Sequence, residues 1–473
     1  MKHLEELMAR IINRVNTGLL RHKFDAEPFI RSCTPGAGDY NLCAFYGLSP
    51  RHPVHLRFIN SVLGGSYFLD RCVVDSSIVY RSDVRGDELK EKGAILKAGG
   101  MDLPVYVNEE IFIRESFLAN NLVHCFSHDP NQWDRFFIRC TAAMPYSNIH
   151  GAPVIGSFLG AASTLDLTTV RNCVIGEYAY VQVGELNGQV VPPGQVWIRA
   201  DDSFEFKYRF APEVLTRYVR HEPHVIPEGV IMDLAFSVET EFDDLVGSLA
   251  NPGQVEAPES ASCSPYSVRK GNCLLAENVF VSQGAYLENA QLGQGANVQE
   301  NCFIVNCRLQ GRNVTAHGGK LIFADMGQRV FVGFNSFLRG SENHRLTVGA
   351  GSVVMPHTII DLTEAVEIPP RTLVWGFIQT ADDLRQNTIS LDELNKVNGE
   401  LKLGGMTFTG RGEDLVQGKD KRIEHILEFN GAYYDDGTEH GHAERSKHIA
   451  YNILRPYSEG PLKGMFPTIE VSP

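Results

Sequence analysis

The chain has 473 residues, of which 43% are hydrophobic and 21% charged, with a formal net charge of −14; that length allows two or three ordinary domains. The acidic balance speaks against nucleic acid or another polyanion as partner, because such binders need a basic face to displace counterions. No run of eighteen or more apolar residues occurs, and the N-terminus is not a basic region followed by an apolar one, so neither a membrane span nor a secretory leader is expected and the cytoplasm is the expected location.

Residues 1–55 read as a helix followed by a loop. Leu4, Leu7, Met8, Ile11, Ile12, Val15 and Leu19 fall on one stripe at helical spacing, which predicts an amphipathic helix that docks on the body of the protein or on another subunit. Between 56 and 200, Leu63, Leu69, Val74, Val79 and Val84 recur at intervals of five or six, and 172–181 resumes the pattern. Three breaks separate these fragments: a charged stretch at 85–97, an aromatic segment around Trp133, and 184–194 with its Pro192 and Pro193. The spacing predicts an irregular β-solenoid whose coils carry long excursions, and sites are often built on such loops because the solenoid supplies rigidity. Residues 201–265 change composition and end in a Pro-, Ser-, Gly- and Glu-rich stretch, 251–264, which reads as an insertion with an exposed linker.

The clearest signal lies between 275 and 338, where three apolar columns repeat with a period of seventeen. Leu275, Leu292, Leu309 and Met326 form one; Val281, Val298, Thr315 and Val332 a second; Leu287, Ile304, Leu321 and Leu338 a third. Such a period marks a solenoid, in which each unit buries its apolar face only by stacking on its neighbours. Apolar residues every five or six positions fit three short flat strands per coil, not helix pairs. Two positions before the apolar residue the side chain tends to be small, as at Ala285, Ala296, Cys302, Ser336, Ser352 and Thr358, which suits a tight corner. Gly293, Gly327, Gly333 and Gly349 follow apolar positions, where a backbone conformation costly to other residues is expected. Residues 378–473 leave the period, and helical spacing over 391–403, 420–429 and 444–454 predicts a helical extension.

These repeats, with the closing stretches 346–354 (LTVGAGSVV) and 367–376 (EIPPRTLVWG), resemble the hexapeptide-repeat superfamily of left-handed parallel β-helix transferases, most clearly over 266–377. The resemblance implies an all-β solenoid with helical extensions at both ends, assembled as a homotrimer or homodimer. It leaves acyl transfer, γ-class carbonic anhydrase chemistry, regulatory roles and silent scaffolds open, because fold alone does not settle function.

In acyltransferases of that superfamily a coil-borne histidine acts as general base, a role that suits its pKa. The histidines on or beside the regular coils are His317, His344 and His357. His344 lies in an excursion, 339–345, with Glu342 and Asn343 before it and Arg345 after it, so a base, an orienting acceptor and a cation are gathered on one loop. Its alternative is a solvated corner loop. His317 has the place of the first of two zinc histidines in the γ-carbonic anhydrases, but Ile322 stands where the second would be and cannot ligate; without a full ligand set no metal is expected, and His317 is a base beside Lys320 or a hydrogen-bonded corner residue. His221 and His224 flank Pro223 and read as a surface turn. His440 and His442, with neighbouring carboxylates in 434–444, read as a polar loop or a site for a divalent ion. Ten cysteines without a Cys-x-x-Cys pair neither form a zinc ribbon nor demand disulfides, and Cys302 reads as a core filler. Walker, nucleotidyltransferase and Gly-x-Ser-x-Gly signatures are lacking.

The reading is therefore an acyltransferase moving an acyl group from a CoA-type thioester to a hydroxyl or amine of a sugar or other small acceptor. His344 and then His317 are the candidate bases, and Lys320, Arg345, Asn343 and Glu342 the candidate substrate contacts. No bound cofactor is expected, acyl-CoA being a co-substrate. The alternatives are a noncatalytic β-helix scaffold that binds partner proteins and a degenerate γ-carbonic-anhydrase-like protein.

Overall fold

A computed structural model describes residues 2–34, 42–48, 55–98, 101–124, 135–242, 257–435 and 449–471. The chain divides into two units, one of Met1–Gln195, Leu215–Met232 and Ile449–Pro473, the other of Val196–Val214 and Asp233–His448. Both are built from parallel strands stacked into three ladders that run along a β-helix-like solenoid; each strand of the second unit's coils pairs with the one three places on in sequence, a rule that the first unit follows consistently only after its excursion.

In the second unit the three columns read from the sequence are the inward face of the ladders. Val281 pairs in register with Val298, Thr315 with Val332, Leu287 with Ile304 and Leu309 with Met326. All but the half-buried Leu275 are buried. At about 25 cal/mol per Å² of apolar surface removed from water, this continuous aliphatic column is the main source of stability. The small residues Ala285, Ala296, Cys302, Ser336, Ser352 and Thr358 are all fully buried. Burial pushes the Cys302 thiol up to about 12, as befits a core filler.

The glycines have another reason than the one expected. Gly293, Gly327, Gly333 and Gly349 are not left-handed; a Cβ at Gly333 would stand 2.4 Å from the Pro356 nitrogen and one at Gly349 2.3 Å from the Pro370 nitrogen. The next coil's backbone leaves no room for a side chain. Many left-handed corners go instead to asparagine, at Asn278, Asn289, Asn301, Asn306 and Asn335, the residue type that tolerates that region best after glycine.

The first unit is more regular than its sequence suggests. Asn148 pairs with Thr164 and Thr164 with Tyr180, Val154 with Val170, and Phe158 with Val174, so the period here is sixteen. Its inward residues, such as Ile149, Val154, Leu159, Leu165, Val170, Ile175 and Val181, are fully buried at spacings of five, five and six. Phe68, in register with Val84, belongs to this column, whereas the expected Leu69 pairs with Arg85 on the other face. The excursion at 85–97 is real: Cys72 pairs with Ile111, and Ile95–Ala98 forms a hairpin with Met101–Pro104. The break expected at 184–194 is not, since Gly184–Asn187 and Val190–Val191 continue two ladders. Trp133 lies outside the described residues.

The opening helix spans Lys2–Leu19 and buries all seven residues of its stripe. Gly18 lets it close on the coils, because a Cβ there would be 2.4 Å from the Gly156 carbonyl oxygen. The C-terminal region is less helical than expected. Leu391–Leu394 and Gly412–Phe429 are helices, but Asn398–Leu403 pairs with Met406–Arg411 as a hairpin, and Ala450–Leu454 is a strand antiparallel to Ala44–Leu48. There the demand of an open sheet edge for a partner outweighs weak helical spacing.

Candidate active site

A chain of polar side chains crosses consecutive coils of the second unit at one corner. The turn positions Gln283, Glu300, His317 and Phe334 recur at the period of the coil, and the ladder stacks them: the carbonyl of Glu300 accepts from Gly318 N–H and that of His317 from Asn335 N–H. Glu300 and His317 thus lie side by side, with His317 Nδ1 2.5 Å from Glu300 Oε2. The Ser282 hydroxyl donates to the other oxygen of Glu300. His317 is 3% exposed and Glu300 2%, and the imidazole packs 5.0 Å from the Phe334 ring. A carboxylate against Nδ1 is the orienting contact of acid–base dyads.

Lys320 is buried in the next strand. Its ammonium donates to the Gly318 carbonyl at 2.9 Å and lies 5.0 Å from the Phe303 ring centre, a cation–π arrangement. Burial lowers its pKa to about 8.

The first unit carries a second polar array on the outward face of one ladder. Arg85, His124, His150 and Asp166 are register partners on four consecutive strands. Outward positions of a solenoid are ordinarily wet, yet Arg85, His124 and Asp166 are buried. His150 Nδ1 is 2.7 Å from Asp166 Oδ1, the Tyr180 hydroxyl donates to Asp166 Oδ2 at 2.6 Å, and Arg85 pairs with Asp87 at 2.7 Å. Elsewhere in this unit Cys33 Sγ lies 3.8 Å from His221 Nε2, but burial pushes the thiol up to about 12 and the imidazole down to about 4. That pair is held neutral and is no activated nucleophile.

A family model described as a hexapeptide repeat including a loop matches residues 101–223. No curated protein matches the chain. A crystal structure described as that of a "putative acetyltransferase" from Desulfovibrio desulfuricans G20 is 46% identical, covers 100% of this chain and 99% of its own, and superposes with a TM-score of 0.93. The chain belongs to the hexapeptide-repeat transferase superfamily. The family model falls mostly on the coils of the first unit and not on 266–377, where the resemblance read from the sequence is clearest, although this hexapeptide-repeat protein stacks parallel coils in both units.

Of the residues singled out from its sequence, the hexapeptide-repeat fold sets His317 against Glu300, whereas Lys320 is buried on the following strand with the Gly318 carbonyl and the Phe303 ring as its partners. The fold does not gather the 339–345 loop around a base. Glu342, Asn343 and His344 stand exposed in a bend, where His344 N–H donates to Ser341 Oγ. Arg345 is turned away to a bidentate pair with Asp325 at 2.8 and 2.9 Å, and each partner moves the other's pKa, Arg345 upward and Asp325 downward. His357 occupies a buried left-handed corner. His221 is buried against Phe29, so it is no surface turn residue, and His440 and His442 lie outside the described residues. Sequence reasoning missed Ser282, Glu300 and the first unit's ladder. For Glu300 the signal was present, since it precedes His317 by one period. For His124 and Arg85 it was hidden, because the ladder steps from Arg85 to His124 and from His124 to His150, each far more than one coil along the chain. Among the described residues no helix is long and apolar enough to cross a membrane.

Proposed function

We propose that this protein is an acyltransferase in which His317 is the general base, moving an acyl group from a CoA thioester to a hydroxyl or amine of a small acceptor. The observation that carries the reading is the Ser282–Glu300–His317 chain on three successive coils; the likeness to a crystal structure described as that of a "putative acetyltransferase" supports the reaction class. His317 Nε2 takes the acceptor's proton as its oxygen or nitrogen attacks the thioester carbonyl carbon. The tetrahedral intermediate then expels the CoA thiolate, which receives that proton from the imidazolium. Glu300 stabilises the imidazolium between the two transfers, and Ser282 holds Glu300. Burial keeps bulk water from the thioester. Winding is left-handed and the assembly a homotrimer or homodimer in this proposal, as in the superfamily.

Calorimetric titration with acetyl-CoA and CoA, followed by an acceptor screen that reads released thiol, tests the proposal. We expect His317→Gln to lower kcat by about 100-fold or more with acetyl-CoA affinity kept, Glu300→Gln to lower it about tenfold, and exposed His344→Ala to leave it unchanged. Absence of binding by both ligands overturns the proposal. So does activity that survives in His317→Gln.

A further inference from the structure

Acyl transfer by His317 assigns no role to the buried ladder of the first unit, and the chemistry of that ladder points elsewhere. His124 and His150 are register partners on neighbouring strands, with ring centres 5.1 Å apart in an edge-on arrangement and ligand nitrogens within 4.8 Å of one another. Two imidazoles at that separation reach one ion at the roughly 2.0–2.1 Å of a metal–nitrogen bond after a small rotation. Asp166 holds His150 by Nδ1 and is itself held by Tyr180; a carboxylate accepts, so Nδ1 carries the hydrogen and Nε2 the lone pair. Carboxylate to histidine to ion is the arrangement by which proteins orient a metal-binding imidazole.

His124 supplies the rest. Its Nε2 lies 3.4 Å from Asp87 Oδ1 and 3.8 Å from Glu88 Oε1. About 3.4 Å is the edge of a tetrahedron of ligands each about 2.1 Å from a central ion. Asp166, which holds His150 from behind, is wholly buried.

We infer that His124 and His150 bind a divalent transition-metal ion, zinc fitting the imidazole-plus-carboxylate set best, with Asp87 at ligand spacing and Asp166 as the residue that positions His150. The inference does not rest on the acyl-transfer reading, and its test reads metal binding instead of activity.

Untagged full-length protein, stripped with a chelator and dialysed, is titrated with Zn²⁺ by calorimetry and with Co²⁺ by visible absorption. One equivalent should bind with nitrogen-type cobalt bands and raise the melting temperature. His124→Ala and His150→Ala should each weaken zinc at least about 100-fold, and Asp166→Asn by roughly 10- to 100-fold. Far-ultraviolet circular dichroism of the stripped variants controls for folding, and His150→Gln, which keeps the size of the side chain, serves if the alanine variant does not fold. Absence of stoichiometric binding overturns the inference, as does zinc affinity unchanged by all the histidine substitutions.

Discussion

The two units solve the same problem with coils that differ in length by a single position. In the second, inward residues follow each other at six, six and five; in the first, at five, five and six. Both place asparagines at left-handed corners, such as Asn120 and Asn172 in the first and Asn289 and Asn306 in the second, and both also put bulky residues there, such as Tyr146 and Tyr178 in the first and Phe323 and His357 in the second. The shorter coil bears the larger interruptions and the polar ladder on its outer face, while the longer one keeps its histidine at a corner. A repeat can thus host chemistry either on a ladder, where register aligns groups from separate strands, or at a corner, where the period alone aligns them.

The sharpest expected differences are in pH response. His221, in the first unit, is held down to about 4 by burial. Between that value and the ordinary 6.5 the unfolded chain carries a proton that the folded one lacks, so stability falls as the pH drops through this window, by about 3 kcal/mol in all. His221→Phe should flatten the fall, read by amide exchange in the first unit; an unchanged acid profile sinks the assignment. Lys320, in the second unit, is held down to about 8, so the unfolded chain holds the extra proton between about 8 and 10.5 and stability rises with pH there. Lys320→Met should stabilise the second unit at pH 7 by about 2 kcal/mol, the relief of a buried charge less one lost hydrogen bond. Its advantage should vanish by about pH 10.5, and an advantage that persists there refutes the cause.

This contrast also explains what could be read in advance. The second unit's core was legible because its columns stay in register for four periods without interruption. The helix Lys2–Leu19 was legible from its stripe. Ladder partners such as His124 and Arg85 were not, since an inserted excursion shifts sequence distance without shifting register, and no local rule gives its length. Ala450–Leu454 was misread as helix because its strand exists only through its pairing with Ala44–Leu48. His344 was favoured because loops over rigid scaffolds often carry sites, whereas Glu300 and His317 meet inside the repeat itself.

Smaller effects test how each unit uses glycine. Gly18→Ala in the first unit and Gly333→Ala in the second both drive a Cβ to 2.4 Å from backbone, and each should cost about 1–3 kcal/mol by denaturant unfolding. Gly18 faces a helix that can lift, whereas Gly333 faces a coil locked on both sides, so Gly333→Ala should cost more. The reverse order would mean that the coils yield more readily than the helix.

The smallest effect concerns the corners of the longer coil. Asn289 is left-handed at φ 48°; its side-chain oxygen accepts from the Asn272 N–H at 3.1 Å, and its amide donates to Asn306 Oδ1 at 3.2 Å. Asn289→Ala loses both bonds and adds left-handed strain of about 1 kcal/mol, for about 2 kcal/mol in all. Asn289→Gly loses the bonds but is at ease in the left-handed region, so it should cost about half as much. Within helices and strands glycine is worse than alanine; at this corner the order should invert. Equal costs would show that the hydrogen-bonded ladder, and not the backbone conformation, is what selects asparagine there.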